Sequence, residues 1–171
     1  MVRISAAFKD QVRLMRSMSP LRIWNAAQLF FSFGVSRLFQ KSLHLGAPMS
    51  ISIEPTTSCN LRCPECPSGL RAFTRPTGML DPVFFKKILE QISPRLTLIN
   101  FYFQGEPFLN RHLTGLIRMA ADKKIYTSTS TNAHYLDDET ARKTVESGLS
   151  RLIISIDGTT QESYQQYRIG G

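Results

Sequence analysis

Between residues 50 and 160, apolar residues follow two alternating patterns, one typical of β-strands and the other of helices. Short stretches rich in β-branched and aromatic residues predict four strands, at residues 50–55, 97–103, 125–130 and 152–156. The last three of these strands begin 28 and 27 residues apart, and β-α-β units occupy intervals of this length. The fourth strand, LIISI, is apolar enough that we expect it to be buried on both faces.

The segments between these strands have the spacing of amphipathic helices. The residues that cap or begin the predicted helices are Asp81, Asn110, Asp137 and Gln161. In the first of these helices, Phe84 and Phe85 belong to an apolar face that we expect to lie in the core. The alternation of strands and helices predicts an α/β fold with parallel strands and right-handed crossovers.

The N-terminal part of the chain has a different character. The stretch from about residue 4 to residue 18 is amphipathic and basic, and residues 21–38 form a second helical stretch with one tryptophan and three phenylalanines. The sequence GAP at 46–48 indicates a linker. We therefore interpret residues 1–48 as a basic amphipathic helical arm and residues 49–171 as the main domain.

The net charge of +8 at pH 7 is unevenly distributed. The arm has seven Lys or Arg residues and one acid, and the main domain has fourteen and twelve, so the arm carries +6 and the main domain +2. A nearly balanced main domain argues against a nucleic-acid partner, because phosphate contacts require a basic face. The arm has two open interpretations. Its helices pack on the outside or bottom of the main domain, or they form a basic surface that meets an anionic membrane, a partner or RNA.

The three cysteines of the chain lie within eight residues, at Cys59, Cys63 and Cys66. An odd number in one loop is not a disulfide framework and favours a reduced compartment, so we expect a cytoplasmic protein. Thiolates select zinc, copper(I) or iron–sulfur clusters. Zinc would need one of three histidines as a fourth ligand, and none has a zinc-like spacing. Three cysteines can instead hold three irons of a [4Fe–4S] cluster. The residues leave open a cluster, another metal or structural cysteines.

Polar or glycine-rich segments follow each of the four predicted strands. They are the cysteine loop, QGEP at 104–107, TNA at 131–133 and DG at 157–158. The carboxyl ends of parallel strands lie at one edge of a sheet, where α/β proteins have their sites. Each short motif alone is also an ordinary strand-end turn. Their succession predicts one site that is built from all four segments.

The CxxxCxxC loop after the first strand, followed by GEP and SxDG, resembles the radical SAM enzymes, and most closely their SPASM-type branch. The resemblance covers residues from about 50 to the C-terminus. It implies a partial (β/α)6 TIM-like barrel in which Cys59, Cys63 and Cys66 ligate a [4Fe–4S] cluster. It also implies that S-adenosylmethionine binds the open iron and yields a deoxyadenosyl radical. This radical would abstract hydrogen from a peptide, protein or cofactor precursor, with flavodoxin or ferredoxin as electron donor.

The resemblance further implies residues that contact S-adenosylmethionine. They follow strands two to four and are Gly105, Glu106, Pro107, Asn132, Ser155, Asp157 and Arg168. In this family the GEP segment binds the methionine amino group, the SxDG segment lies near the ribose, and an arginine in the position of Arg168 lies near the methionine carboxylate. Each of these residues also has an ordinary interpretation, as part of a turn or as a surface side chain.

At three positions the chain departs from the pattern of the family. Gln104 and Ala133 stand where related chains have glycine, and Glu65 replaces an aromatic residue that helps to support the adenine. The change at Glu65 concerns the adenine contact and not the cluster. His112 and His134 are expected to be a helix-start residue and a loop residue.

A (β/α)6 core has two more strands than the four predicted here. The resemblance therefore implies that residues 49–171 are the first part of a core and that the chain is an N-terminal fragment. We expect such a fragment alone to be poorly stable or inactive, with its fourth strand as an exposed apolar edge. The alternative function that the residues leave open is a non-catalytic zinc-binding or decayed scaffold protein.

Overall fold

The structure is a computed structural model that describes residues 5–170. Its elements in chain order are α1 (Ala6–Arg16), α2 (Pro20–Phe39), β1 (Ser50–Ser52), α3 (Pro82–Ile92), β2 (Leu98–Asn100), a 3₁₀ turn (Pro107–Leu109), α4 (Leu113–Asp122), β3 (Tyr126–Thr131), α5 (Asp138–Glu146), β4 (Arg151–Ile154) and α6 (Gln161–Gln165). The order of strands and helices is as predicted, although β1, β2 and β4 are shorter. Residue 4, the predicted start of the first helix, lies outside the described residues. Asp81 and Asp137 cap α3 and α5 as predicted.

The four strands form one parallel sheet in the order β1-β2-β3-β4. Ser50 pairs with Leu98, Leu98 pairs with Tyr126, and Ser128 pairs with Arg151. Because neighbouring strands run in the same direction, the loops that follow them lie at the same edge of the sheet. The predicted parallel α/β organisation is confirmed.

The hydrophobic core lies between the sheet and helices α3 and α4. Phe85 is fully buried and meets Phe101 edge to face, with ring centroids 5.6 Å apart. The prediction that Phe84 also lies in the core is wrong, because this residue is 58% exposed. Adjacent residues of a helix point about 100° apart, so only one of two neighbouring phenylalanines faces the sheet.

The prediction that β4 is buried on both faces is wrong for the described residues. Ile154, at the end of β4, is 45% exposed, and Ile156 beyond it is 70% exposed. Within residues 5–170, β4 pairs only with β3, so its outer edge and part of its apolar surface face solvent. The strand has the composition of an interior strand and the position of an edge strand.

Asn110 connects two loops and does not cap α4 as predicted. A 3₁₀ turn places Asn110 ahead of the helix, and His112 occupies the N-cap position. The Asn110 amide donates hydrogen bonds to the carbonyls of Pro55 at 2.8 Å and Leu80 at 3.2 Å. Since Asn110 is buried, these bonds tie the segment after β2 to the segment after β1.

A buried arginine attaches α2 to the amino-terminal end of the sheet. The Arg22 guanidinium donates hydrogen bonds to the carbonyls of Ser17, Ser93, Lys123 and Lys124, over distances of 2.5 to 3.1 Å. These carbonyls lie at the C-terminal ends of α1, α3 and α4. Helix ends leave such carbonyls without partners and favour a nearby cation. Arg22 therefore joins three helices through one side chain.

Other polar contacts also hold α1 and α2 against the main domain. The Asn25 side chain bonds to both the N–H and the carbonyl of Ala47, at 2.7 and 2.8 Å. The Tyr126 hydroxyl donates to the Asp10 carboxylate at 2.5 Å. Burial, together with this bond, raises the pKa of Tyr126 to about 12. Among the described helices, none combines the length and apolarity that crossing a membrane requires.

We predict that Arg22→Ala lowers the free energy of unfolding by about 3 kcal/mol, because four carbonyls at helix ends lose a charged donor. Urea denaturation followed by circular dichroism measures the change. Arg37→Ala is the matched control, since Arg37 lies exposed in the same helix, and its effect should stay within about 0.5 kcal/mol. Equal losses in the two variants would contradict the role assigned to Arg22.

Candidate active site

The loops at the carboxyl edge of the sheet enclose a cavity of about 120 Å³. The predicted site residues that line it are Cys59, Cys63, Cys66, Gly105, Glu106, Asn132, Ser155 and Arg168. Pro107 and Asp157 do not line this cavity. Pro107 begins the 3₁₀ turn, and Asp157 contacts the site through Arg168. The fold thus brings together predicted residues from the loops that follow all four strands.

Each of the three cysteine sulfurs has a different polar neighbour. The Sγ atom of Cys59 accepts a hydrogen bond, 3.4 Å long, from the backbone N–H two residues later. The Sγ of Cys63 lies 3.9 Å from a guanidinium nitrogen of Arg168, and the Sγ of Cys66 lies 3.6 Å from the Gln104 side-chain oxygen. All three cysteines are free. The sulfurs are therefore available as ligands and have polar groups beside them.

The donor set fits an iron–sulfur cluster. Burial raises the pKa of the Cys59 thiol, a backbone hydrogen bond opposes this rise, and the charges of Glu106 and the other two cysteines add to it. A positively charged metal centre would offset this cost and favour the thiolate. Within residues 5–170, no three Cys, His, Asp or Glu side chains converge as ligands of one ion do. Three free thiols are the donor type that an iron–sulfur cluster takes.

Gly105 lets the QGEP segment approach the start of the cysteine loop closely, and Gly69 lets the cysteine loop fold back on itself. Gly105 has a φ of +81°, and a Cβ atom at this position would overlap the carbonyl oxygen of Thr56. The backbone N–H of Glu106 donates to the Ser58 carbonyl at 2.8 Å. A Cβ atom at Gly69 would overlap the backbone of the second cysteine of the loop. Glycine is therefore required where the two segments meet and where the cysteine loop folds back on itself.

The Glu106 carboxylate is the most enclosed charged group of the site, with 3% of the residue exposed. One oxygen accepts hydrogen bonds from the Thr131 hydroxyl at 2.7 Å and the Phe108 N–H at 3.2 Å. The other oxygen accepts from the Asn132 N–H at 2.9 Å. These donors fix the carboxylate and are all uncharged. A buried carboxylate gains further stability from a cation, so the site favours a positively charged ligand.

A chain of polar side chains connects the end of β3 to the cysteine loop and to α6. The Asn132 amide donates to the Asn60 side-chain oxygen at 2.9 Å, and the Asn60 amide nitrogen lies 3.1 Å from Nδ1 of His134. On its other side, Nε2 of His134 lies 3.1 Å from the Tyr164 hydroxyl. The loop after β3 therefore positions the cysteine loop through side chains, in addition to the backbone contacts made by the QGEP segment.

The last described residues fold back onto the cysteine loop. The backbone N–H of Arg62 donates to the Ile169 carbonyl at 2.8 Å, and Arg168 forms an ion pair with Asp157. Burial by itself lowers the pKa of Arg168, but the hydrogen bond and charge of Asp157 and the charge of Cys63 raise it above its ordinary value. Arg168 is therefore a fixed positive charge on one wall of the cavity.

Three residues that the sequence analysis did not single out also build the site: Asn60, Ser68 and Tyr164. The Ser68 hydroxyl accepts from the Gly105 N–H at 2.9 Å and donates to the Gln104 side chain at 3.1 Å. Asn60 directly follows Cys59 and Ser68 lies two residues after Cys66, and this nearness is the only signal that could have identified them. Nothing in the sequence connects Tyr164 with a histidine thirty residues earlier.

Comparison with known proteins decides the family. The model of the Radical SAM superfamily matches residues 53–171. The chain belongs to this superfamily. PqqA peptide cyclase from Rhodopseudomonas palustris is 30% identical over 127 residues, which cover 74% of this chain and 33% of that protein. AdoMet-dependent heme synthase from Methanosarcina barkeri is 29% identical over 122 residues, which cover 71% of this chain and 35% of that protein.

The crystal structure of BtrN in complex with AdoMet and 2-DOIA superimposes with a TM-score of 0.58 at 26% sequence identity. The match covers 65% of this radical SAM chain and 46% of BtrN. Together with the four parallel strands, this similarity confirms the predicted partial barrel. The two curated relatives are enzymes by name, and the chain spans about a third of their length.

We predict that Gly105→Ala destabilises the chain by at least about 2 kcal/mol, because alanine at positive φ is strained and its methyl group would meet the Thr56 carbonyl. Urea denaturation measures the effect. Gly115→Ala is the matched control. Gly115 lies in α4 with open space around it, so alanine there should stabilise the helix by up to about 1 kcal/mol. A neutral Gly105→Ala would contradict the close contact between the two loops.

Proposed function

We propose that this chain is the cluster-bearing part of a radical SAM enzyme that cleaves S-adenosylmethionine and abstracts a hydrogen atom from its substrate. The observation that carries the proposal is the meeting of three free cysteines and a buried carboxylate in one cavity. Cys59, Cys63 and Cys66 would hold a [4Fe–4S] cluster. Such a cluster, when bound, supplies the electron for the reductive cleavage of S-adenosylmethionine.

Glu106 binds the amino group of S-adenosylmethionine in this proposal. Three uncharged donors already orient its carboxylate, and among the described residues no Lys or Arg forms an ion pair with it. A ligand ammonium group would supply the absent positive charge through a charge-assisted hydrogen bond. Because the carboxylate is fixed before the ligand arrives, little side-chain entropy would be lost on binding.

Arg168 and the residues at the end of β4 would contact the rest of the ligand. The Arg168 guanidinium lines the cavity and is held by Asp157, which suits a contact with the methionine carboxylate. The Ser155 hydroxyl lies 3.2 Å from that of Ser130, and two hydroxyls side by side are suitable partners for a ribose diol. Asp157 acts here through Arg168, since it does not line the cavity.

The substrate of the whole protein is proposed to be a peptide, a protein or a cofactor precursor. The names of the relatives, PqqA peptide cyclase and AdoMet-dependent heme synthase, support these classes. We place the chain in the SPASM-type branch on the basis of its motifs, and flavodoxin or ferredoxin would be the electron donor. With this assignment, the protein would be purified and assayed anaerobically under reducing conditions, and we propose that it is cytoplasmic.

We predict that anaerobic reconstitution loads about four irons per chain and that Cys63→Ala lowers this to below about one. Iron and sulfide analysis measures the content. Ser155→Ala is the matched control, because it also reduces a side chain of the cavity to a methyl group but removes no thiolate. Its iron content should stay near four. Stoichiometric zinc without iron in the anaerobically purified chain would contradict the proposal and favour a non-catalytic zinc protein.

We also predict that Glu106→Gln weakens S-adenosylmethionine binding to the reconstituted chain by about tenfold or more, because a charge-assisted hydrogen bond becomes a neutral one. Isothermal titration calorimetry measures the affinity. The iron content of the variant serves as the control and should stay near four, since Glu106 is not a proposed ligand. Unchanged affinity in a fully loaded variant would show that the amino group binds elsewhere.

A further inference from the structure

Helix α2 turns its polar side towards the protein and its apolar side towards solvent. Arg22, Asn25 and Ser32 are its buried residues. The opposite side carries Ile23, Trp24, Phe30, Phe31 and Leu38, all of them exposed. We call these five residues the outer stripe. A helix that merely covers a globular core has the reverse arrangement.

The outer stripe is continuous along the helix. Its members follow the helical spacing i, i+1, i+7, i+8 and i+15, and the exposed residues between them on this side, Ala27 and Gly34, are small and uncharged. Trp24 is 63% exposed, Phe31 64% and Leu38 75%. From residue 23 to residue 38 the stripe extends about 24 Å. A contiguous apolar surface of this kind marks an interaction site.

The inner side of α2 prevents the helix from turning this stripe into the core. Arg22 bonds to carbonyls at the ends of three helices, and Asn25 bonds to both backbone groups of Ala47. Rotation about the helix axis would break these buried bonds and leave the carbonyls without donors. The main domain therefore holds the outer stripe in its exposed orientation.

The charges around α2 point to an anionic partner. The sequence contains no Asp or Glu between residues 11 and 53. Exposed cations lie near both ends of the outer stripe, at Arg13 and Arg16 before α2 and at Arg37 and Lys41 near its C-terminal end. A symmetric contact between two copies through this surface would bring like charges together. Aromatic side chains flanked by cations and without acids are typical of a helix that lies on an anionic bilayer.

We propose that the outer stripe binds an anionic lipid bilayer and that α2 then lies in the plane of this bilayer. The aromatic side chains of the stripe would lie among the acyl chains and the flanking cations at the lipid headgroups. Arg22 contacts the carbonyls of Ser93, Lys123 and Lys124, which precede β2 and β3. Helix α2 therefore lies at the amino end of the sheet, opposite the cavity. Bound in this way, the protein keeps its candidate active site open to the aqueous side.

The experiment uses Trp24, the single tryptophan of the chain, as a built-in probe. The 171-residue chain is mixed with phosphatidylglycerol vesicles or with phosphatidylcholine vesicles, and tryptophan emission and vesicle flotation are recorded. We expect emission to shift to shorter wavelength and protein to float only with the anionic vesicles. Arg37→Gln should weaken this binding about fivefold.

The variant with Phe30→Ser and Phe31→Ser should bind anionic vesicles at least about tenfold more weakly. Phe84→Ser is the matched control, because Phe84 is a similarly exposed phenylalanine on α3 and should have no effect. Equal losses in the two variants, or equal binding to both kinds of vesicle, would overturn the proposal. Trp24 emission that is already at short wavelength without vesicles would also overturn it, since protein and not lipid would then cover the stripe.

Discussion

The hydrogen bonds that pair β1, β2, β3 and β4 in one parallel sheet determine where every residue of the cavity lies. The strands are only three to six residues long, yet their common direction brings four loops to one edge. No loop alone contains a site. The cysteine loop supplies the thiols, and the loop after β2 supplies a carboxylate. The loops after β3 and β4 supply amide and hydroxyl groups, and the segment after α6 supplies a guanidinium group.

The same sheet separates two surfaces of opposite chemistry. At its carboxyl edge, neutral donors hold the buried Glu106 carboxylate, and Arg168 stands beside the cysteines. At its amino edge, Arg22 satisfies carbonyls at the ends of three helices. Each edge thus contains a buried charged side chain, Glu106 or Arg22, that several hydrogen bonds hold in place. A ligand site at one end and a docking surface at the other can therefore exist without interfering.

The order of elements and most of the site were predictable from the sequence, because periodicity and motif spacing are local signals. The cysteine loop and the GEP motif were recognisable in this way. The inward position of Phe85 and the outward position of Phe84 depend on how α3 is rotated about its axis against the sheet. Periodicity identifies the apolar side of the helix but not this rotation to within a fraction of a turn. Asn110 looked like a cap, but the 3₁₀ turn before α4 gave its side chain two carbonyls to bind instead.

Electron paramagnetic resonance of the reduced, reconstituted chain, recorded with and without S-adenosylmethionine, distinguishes a radical SAM site from any other metal site. We expect the signal of a [4Fe–4S] cluster whose g values change when S-adenosylmethionine is added, because the three cysteines leave one iron open. A cluster signal that does not respond to S-adenosylmethionine, or no cluster signal at all, would contradict the assignment of this cavity as a radical SAM site.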